Sequence, residues 1–175
     1  MIVFAKRMLR AALLRADLYE EVEADRGATG QAFAVVVLSA VATGLGALEN
    51  SGPGGLFWHT VIDVVGWYVW AWLTYMIGTR LLPTPETRAD VGQLLRTLGF
   101  ASAPGVLRIA ALIDPLAFAV FTVATLWMLV AMVVAVRQAL DYTSTGRAVA
   151  VCAIGFPIYA LGQMLSILAL GPWPL

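Results

Sequence analysis

The stretch LAFAVFTVATLWMLVAMVVAV, from Leu116 to Val136, decides the fold. It holds no charged side chain over 21 residues. At about 1.5 Å of helix rise per residue, that length matches the roughly 30 Å hydrocarbon core of a bilayer. Water is absent there, so backbone N–H and C=O groups must bond to each other, and a helix is the form that does so within one segment. Before it stands Asp114-Pro115, which predicts a helix cap followed by proline at the first helical position. Arg137 closes the other end.

Working outward from this stretch, four more apolar segments of spanning length appear. They cover Gln31 to Leu48, Phe57 to about Leu82, about Leu94 to Ile113, and Ala148 to Leu170. The chain as a whole is 61% hydrophobic and 13% charged over 175 residues, with mean hydropathy +0.84. Soluble domains carry about a quarter charged residues, so much of this apolar surface must face lipid. The expected fold is an all-α polytopic membrane bundle: residues 1–30 form a cytoplasmic amphipathic segment and residues 31–175 a five-helix transmembrane domain.

Turn chemistry separates the spans. Glu49-Asn50-Ser51-Gly52-Pro53-Gly54-Gly55 predicts a break after the first, Pro83 and Pro85 one after the second, and Thr143-Ser144-Thr145-Gly146 one before the fifth. Basic residues then set the orientation. Lys6, Arg7, Arg10, Arg15 and Arg26 precede the first span; Arg80, Arg88 and Arg96 flank the second connection, and Arg137 and Arg147 the fourth. The intervening loops and the C-terminal tail have none, apart from Arg108 inside the third span. Lys and Arg accumulate on the cytoplasmic side, which predicts a cytoplasmic N-terminus and an external C-terminus. Ten charges fall within the first 26 residues, so no cleavable signal segment is expected.

Residues 1 to 24 predict a helix, with Phe4, Met8, Ala11, Leu18 and Val22 on one face. Its first half is basic; its second holds Asp17, Glu20, Glu21, Glu23 and Asp25. Such a helix is expected to lie on the anionic inner leaflet with that apolar face among the headgroups, or else to bind a partner.

Several segments together resemble the bacterial branch of the YIP family, the integral membrane proteins named after Ypt/Rab-interacting proteins. They are Asp17-Leu18-Tyr19-Glu20-Glu21, Arg96 to Pro104, Trp127 followed by Ala135 to Leu140, and Ser144 to Ala148. The resemblance implies five spans, a cytoplasmic N-terminus and a non-enzymatic role in membrane organisation, with Asp17, Leu18 and Tyr19 as a cytoplasmic motif. In eukaryotic relatives that role runs through small GTPases. Here Glu20-Glu21 follows the motif where the eukaryotic pattern has glycine and proline, so the fold carries over and that partner does not.

The chemistry-bearing inventory is short. Cys152 is the single cysteine and His59 the single histidine, which leaves no internal disulfide, catalytic triad or Cys/His metal site. Net charge is zero, so no field draws nucleic acid. No cofactor is expected. Pro104 and Pro157 predict kinks in the third and fifth spans. Small-residue spacings such as Ala40/Gly44 and Ala101/Gly105 allow close helix approach. Trp58 and Tyr75 sit where interfacial aromatics belong, while Trp67, Trp70 and Trp72 lie deeper and suit helix packing, a ligand or a neighbouring subunit.

Asp63 and Arg108 are the informative pair. An ionisable group inside a span costs several kcal/mol unless paired or hydrated. Each lies about 8–9 Å below the same membrane face on adjacent antiparallel helices, so an intramembrane ion pair is expected. Three functions fit: a scaffold or interaction protein working with the bilayer and with other membrane proteins or copies of itself, a small permease or channel using Asp63 and Arg108, and an accessory subunit docked through the span-two aromatics.

Overall fold

A computed structural model describes residues 2–46 and 48–170, apart from the side chains of residues 46–55, 59, 114, 162–163 and 165–170. The described residues are helical, with no strand among them. Helices α1 (Ile2–Ala12) and α2 (Ala16–Ala24) precede α3 (Thr29–Gly46) and α4 (Leu48–Met76), and α4 ends in a π-helical turn, Ile77–Leu81. Next come α5 (Val91–Ala101), a 3-10 stretch (Ala103–Leu112), α6 (Ala117–Ala139) and α7 (Thr145–Leu170).

Among the described residues, three helical segments are long and apolar enough to cross a bilayer: Arg26–Leu45, Leu56–Leu81 and Ala117–Ala139. Thr145–Leu161 is a shorter apolar one. Large apolar side chains such as Phe118, Leu126 and Val130 point outward from α6, as lipid contact requires. Inside, α5 and its 3-10 continuation pack against α3 and α6, while α4 and α7 close the remaining side.

Four local expectations need correction. The N-terminal segment is two helices, not one, reversing through Leu13-Leu14-Arg15 with Leu14 at φ 58°. The reversal lays the basic half antiparallel to the acidic half. Arg7 meets Glu21 at 2.8 Å and Asp25 at 2.9 Å, and Arg10 meets Glu21 at 2.5 Å and Asp17 at 3.0 Å. The break expected over Glu49–Gly55 is folded as the first turns of α4. Residue propensity is a prior that tertiary context overrides, and here the helix runs on through Gly52 and Pro53.

The third segment is not one kinked helix. Pro104 lacks an N–H and crowds the carbonyl four residues back, so the α-helix ends at Ala101 and a 3-10 winding takes over. Finally, α6 begins at Ala117, and Asp114–Leu116 forms a separate 3-10 turn. The Asp114 cap lies outside the described side chains.

At the other end of that segment Asp90 caps α5 in a reciprocal box: its carboxylate accepts from Gln93 N at 2.8 Å, and its own N–H donates to Gln93 Oε1 at 2.6 Å. Close approaches fix the packing. A Cβ on Gly99 would lie 2.8 Å from that of Ala32, and one on Gly105 would collide with Ser39 and Met128. The Ala101/Gly105 expectation thus meets α3 and α6 at its glycine.

Candidate functional site

With about three residues per turn, the 3-10 stretch stacks every third side chain on one line. Gly105, Arg108 and Ala111 share that line; Gly105 and Ala111 are buried, and Leu107, Ile109 and Leu112 point out. Arg108 lines a cavity of about 230 Å³ walled by α3, α4, α5, the 3-10 stretch, α6 and α7. Asp63 and Arg108 both line it, with Ser39, Ser102 and Thr125 as further polar groups and Trp67, Trp70, Met128 and Tyr159 among the apolar ones.

Arg108 donates through one terminal nitrogen to Thr43 Oγ1 at 3.0 Å and through the other to Thr125 Oγ1 at 2.9 Å. Its Cζ stands 5.7 Å from the Phe121 ring centroid, within cation–π range. Asp63 acts on it electrostatically. The structure therefore brings the two expected residues to one cavity and adds two threonine acceptors that the sequence did not single out. Arg108 Nε is buried with no hydrogen-bond partner, and so is Trp70 Nε1.

The deep tryptophans divide. Trp67 is buried and donates its Nε1–H to the carbonyl of Leu95 at 3.0 Å, tying α4 to α5. Trp70 is 6% exposed, with its ring 5.5 Å from that of Tyr159 on α7. Trp72 is 51% exposed and lies on the outer face. Pro157 sits inside α7 on its exposed side, next to Phe156, which lines the cavity. The His59 side chain lies outside the described ones.

A second constellation joins the N-terminal pair to the bundle. Arg96 on α5 is 6% exposed; its Nε donates to Val22 O at 2.9 Å and a terminal nitrogen donates to Glu23 O. These carbonyls belong to the last turn of α2, where a helix lacks internal donors and favours a cation. Trp127 Nε1 donates to Ala12 O at 2.7 Å, at the end of α1, and Gln138 Nε2 to Glu20 Oε1 at 2.8 Å. Leu18, Tyr19 and Val22 are fully buried in the core. Removing Leu18 or Val22 from water stabilises the docked form by about 1.5–3 kcal/mol each.

Of the expected cytoplasmic motif, only Asp17 is exposed, with its carboxylate held below the usual range by hydrogen bonds from Arg15 and Arg10. Leu18 and Tyr19 are core residues, and burial pushes the Tyr19 hydroxyl up. The apolar face of α1 also turns inward: Phe4 and Met8 pack against the core, while Ile2, Leu9 and Leu13 form the outward stripe. Helix periodicity shows that a face is apolar, not which surface covers it. Arg96 was legible only as a cation near a loop; its place among Leu94, Leu95, Leu98 and Phe100 is the signal of burial.

Burial pushes the Glu23 carboxyl up to about 7, with Asp141 adding to the effect and Arg96 opposing it. Hydrogen bonds from Arg10 and then Arg7 hold Glu21 below the ordinary range.

The Yip1 domain matches residues 14–167. The chain belongs to the Yip1-domain family. The match takes in α2 through most of α7, so both constellations fall within it apart from α1. Comparison with curated proteins and with solved structures returned no match. The chain is thus a Yip1-domain membrane protein with an all-helical bundle, and its polar interior is concentrated at Asp63 and Arg108 and at the Arg96 junction.

Proposed function

We propose that this Yip1-domain chain is a non-enzymatic scaffold, organising the membrane through contacts with other membrane proteins or with copies of itself. The observation that supports this best is the junction at Arg96. A charged, water-facing helix pair is fixed to an apolar bundle through backbone carbonyls, so a partner that grips the pair also grips the spans. The outward stripe of Ile2, Leu9 and Leu13 suits contact with the inner leaflet.

The setting we propose is the cytoplasmic (inner) membrane of a bacterial cell, with five spans, the N-terminus inside and the C-terminus outside. The alternation of basic residues supports it. So does the reach of α5 with its 3-10 continuation: 11 α-helical residues and 10 in the 3-10 form. Those extend about 36 Å, enough to cross a bilayer despite the break.

The test is purification of the full chain in mild detergent after brief cross-linking. A homo-oligomer or a stoichiometric complex, lost in Arg96→Met, is the expected result. A second reading, a small permease, draws on the cavity at Asp63 and Arg108. Proteoliposomes showing a proton or solute flux that Asp63→Asn abolishes would replace the scaffold reading with that one.

A further inference from the structure

The two N-terminal helices turn faces of opposite character outward. On α1 every exposed side chain but Lys6 is apolar, whereas α2 exposes Asp17 and Glu20. Ile2, Lys6, Leu9 and Leu13 fall within about 60° of one another around the helix axis. Leu13 belongs to this line because its N–H still bonds to Leu9 O at 2.9 Å. Ile2, Leu9 and Leu13 are each at least 60% exposed. The line ends beside the lipid-facing side of the bundle. Trp127 ties Ala12 O to α6, and around Trp127 the side chains of Val123, Leu126 and Val130 point outward. We propose that the outer face of α1 is a lipid-binding surface lying in the cytoplasmic leaflet, with Ile2, Leu9 and Leu13 among acyl chains and Lys6 on an anionic headgroup.

Charge names the occupant. The α1–α2 reversal turns Arg7 and Arg10 toward α2, where Glu21, Asp25 and Asp17 match them. Lys6 takes part in no ion pair among the described residues. A lysine in the middle of an apolar line lays its stem along hydrocarbon and lifts its ammonium to the phosphates. A neutral apolar protein face would give that ammonium no counter-charge. An anionic leaflet attracts Lys6 and repels Asp17 and Glu20, which keeps the acidic side of the pair in water. This inference rests on the orientation proposed above for the choice of leaflet. Cross-linking in detergent can fail to show a complex without changing it, because the test below reads α1 alone.

The test places one spin label at a time on the full chain, with Cys152→Ala removing the native thiol. The probes are liposomes of phosphatidylcholine, with and without equimolar phosphatidylglycerol. Labels at Leu9→Cys and Leu13→Cys should collide with oxygen rather than with a water-soluble nickel chelate, as a lipid-facing reference at Leu126→Cys does. A label at Ala24→Cys, on the exposed side of α2, should favour nickel. Phosphatidylglycerol should lower the nickel collisions at Leu9→Cys by roughly fivefold, the effect of one lysine near an anionic surface, and Lys6→Gln should remove that difference. Nickel-dominated labels at Leu9→Cys and Leu13→Cys overturn the proposal. So does shielding from both reagents, which assigns the face to a protein or a second copy, and so do equal values in the two lipids.

Discussion

Arg96 and Arg108 stand 12 positions apart on one segment, each drawn into the interior, and they are solvated in opposite ways. Arg96 lies in regular α-helix and spends its donors on the carbonyls of Val22 and Glu23. Arg108 lies in the 3-10 stretch, donates to the hydroxyls of Thr43 and Thr125, stands over the Phe121 ring, and keeps its Nε–H without a partner among the described residues. Carbonyls at a helix end are fixed acceptors without intrahelical donors, so the first arrangement binds two parts of one chain together. Thr43 donates its own hydroxyl proton to Ser39 O and accepts from Arg108 through a lone pair, so the second sets its cation on neutral side chains of the bundle rather than on the backbone. One arginine is a joint; the other lines a space.

The sharpest way to break the contrast is Arg96→Met. It leaves the Val22 and Glu23 carbonyls without their donors, at a cost of about 4 kcal/mol. Thermal melting should fall accordingly, and limited proteolysis should release α1 and α2 while the spans stay protected. Equal protection of both regions would mean that the helix pair does not depend on this joint.

Next comes the pair across the cavity. If Asp63 supports the Arg108 charge, Asp63→Asn and Arg108→Gln should each cost about 2–3 kcal/mol, and the double mutant should be milder than their sum by about 1–2 kcal/mol. Strict additivity in detergent melts would dissolve the ion pair and leave the threonines as the sole support.

Gly105→Ala probes the wall between the two arginines. Its Cβ would run into Ser39 and Met128, and overpacking of this kind costs about 1–3 kcal/mol. The same change should shrink the Arg108 chamber without loosening the Arg96 joint, so proteolysis of α1 and α2 should not change.

The smallest effect is a pH dependence beside Arg96. The Glu23 carboxyl is pushed up from 4.5 to about 7, so the folded chain binds more protons than the unfolded chain between those values. Stability from this group is therefore lost as pH rises through that window, and Glu23→Gln should recover about 1 kcal/mol at pH near 8 after allowance for solvent screening. The gain should vanish near pH 4; a gain independent of pH would assign the effect to packing instead.

How much of this was readable depended on whether the cause was local. The apolar length of Leu116–Val136 made α6 plain, and two lone charges in apolar surroundings pointed to Asp63 and Arg108. The α1–α2 reversal was hidden because Leu13-Leu14-Arg15 contains no glycine, proline or asparagine, and Leu14 takes its left-handed φ to let opposite charges meet. Pro104 announced a disturbance, but the packing of Gly105 against Ser39 of α3 is a contact between distant positions. Asp17-Leu18-Tyr19, which the resemblance implied as a cytoplasmic motif, is mostly core, since a sequence does not say which side of a helix another helix will cover. Thr43 and Thr125 were invisible for the same reason: hydroxyls are common in spans, and only the fold aims them at a guanidinium.

The winding between Ser102 and Arg108 has one further consequence. A 3-10 helix turns about 120° per residue and an α-helix about 100°, so over six residues the two diverge by roughly a third of a revolution, and in rise by about 3 Å. Had the α-helix run on past Ala101, the Arg108 azimuth would point away from Thr125 and the chamber would face a different side chain. The inward heading of Arg108 is thus set by Pro104, four residues upstream, which dictates how tightly the chain is wound.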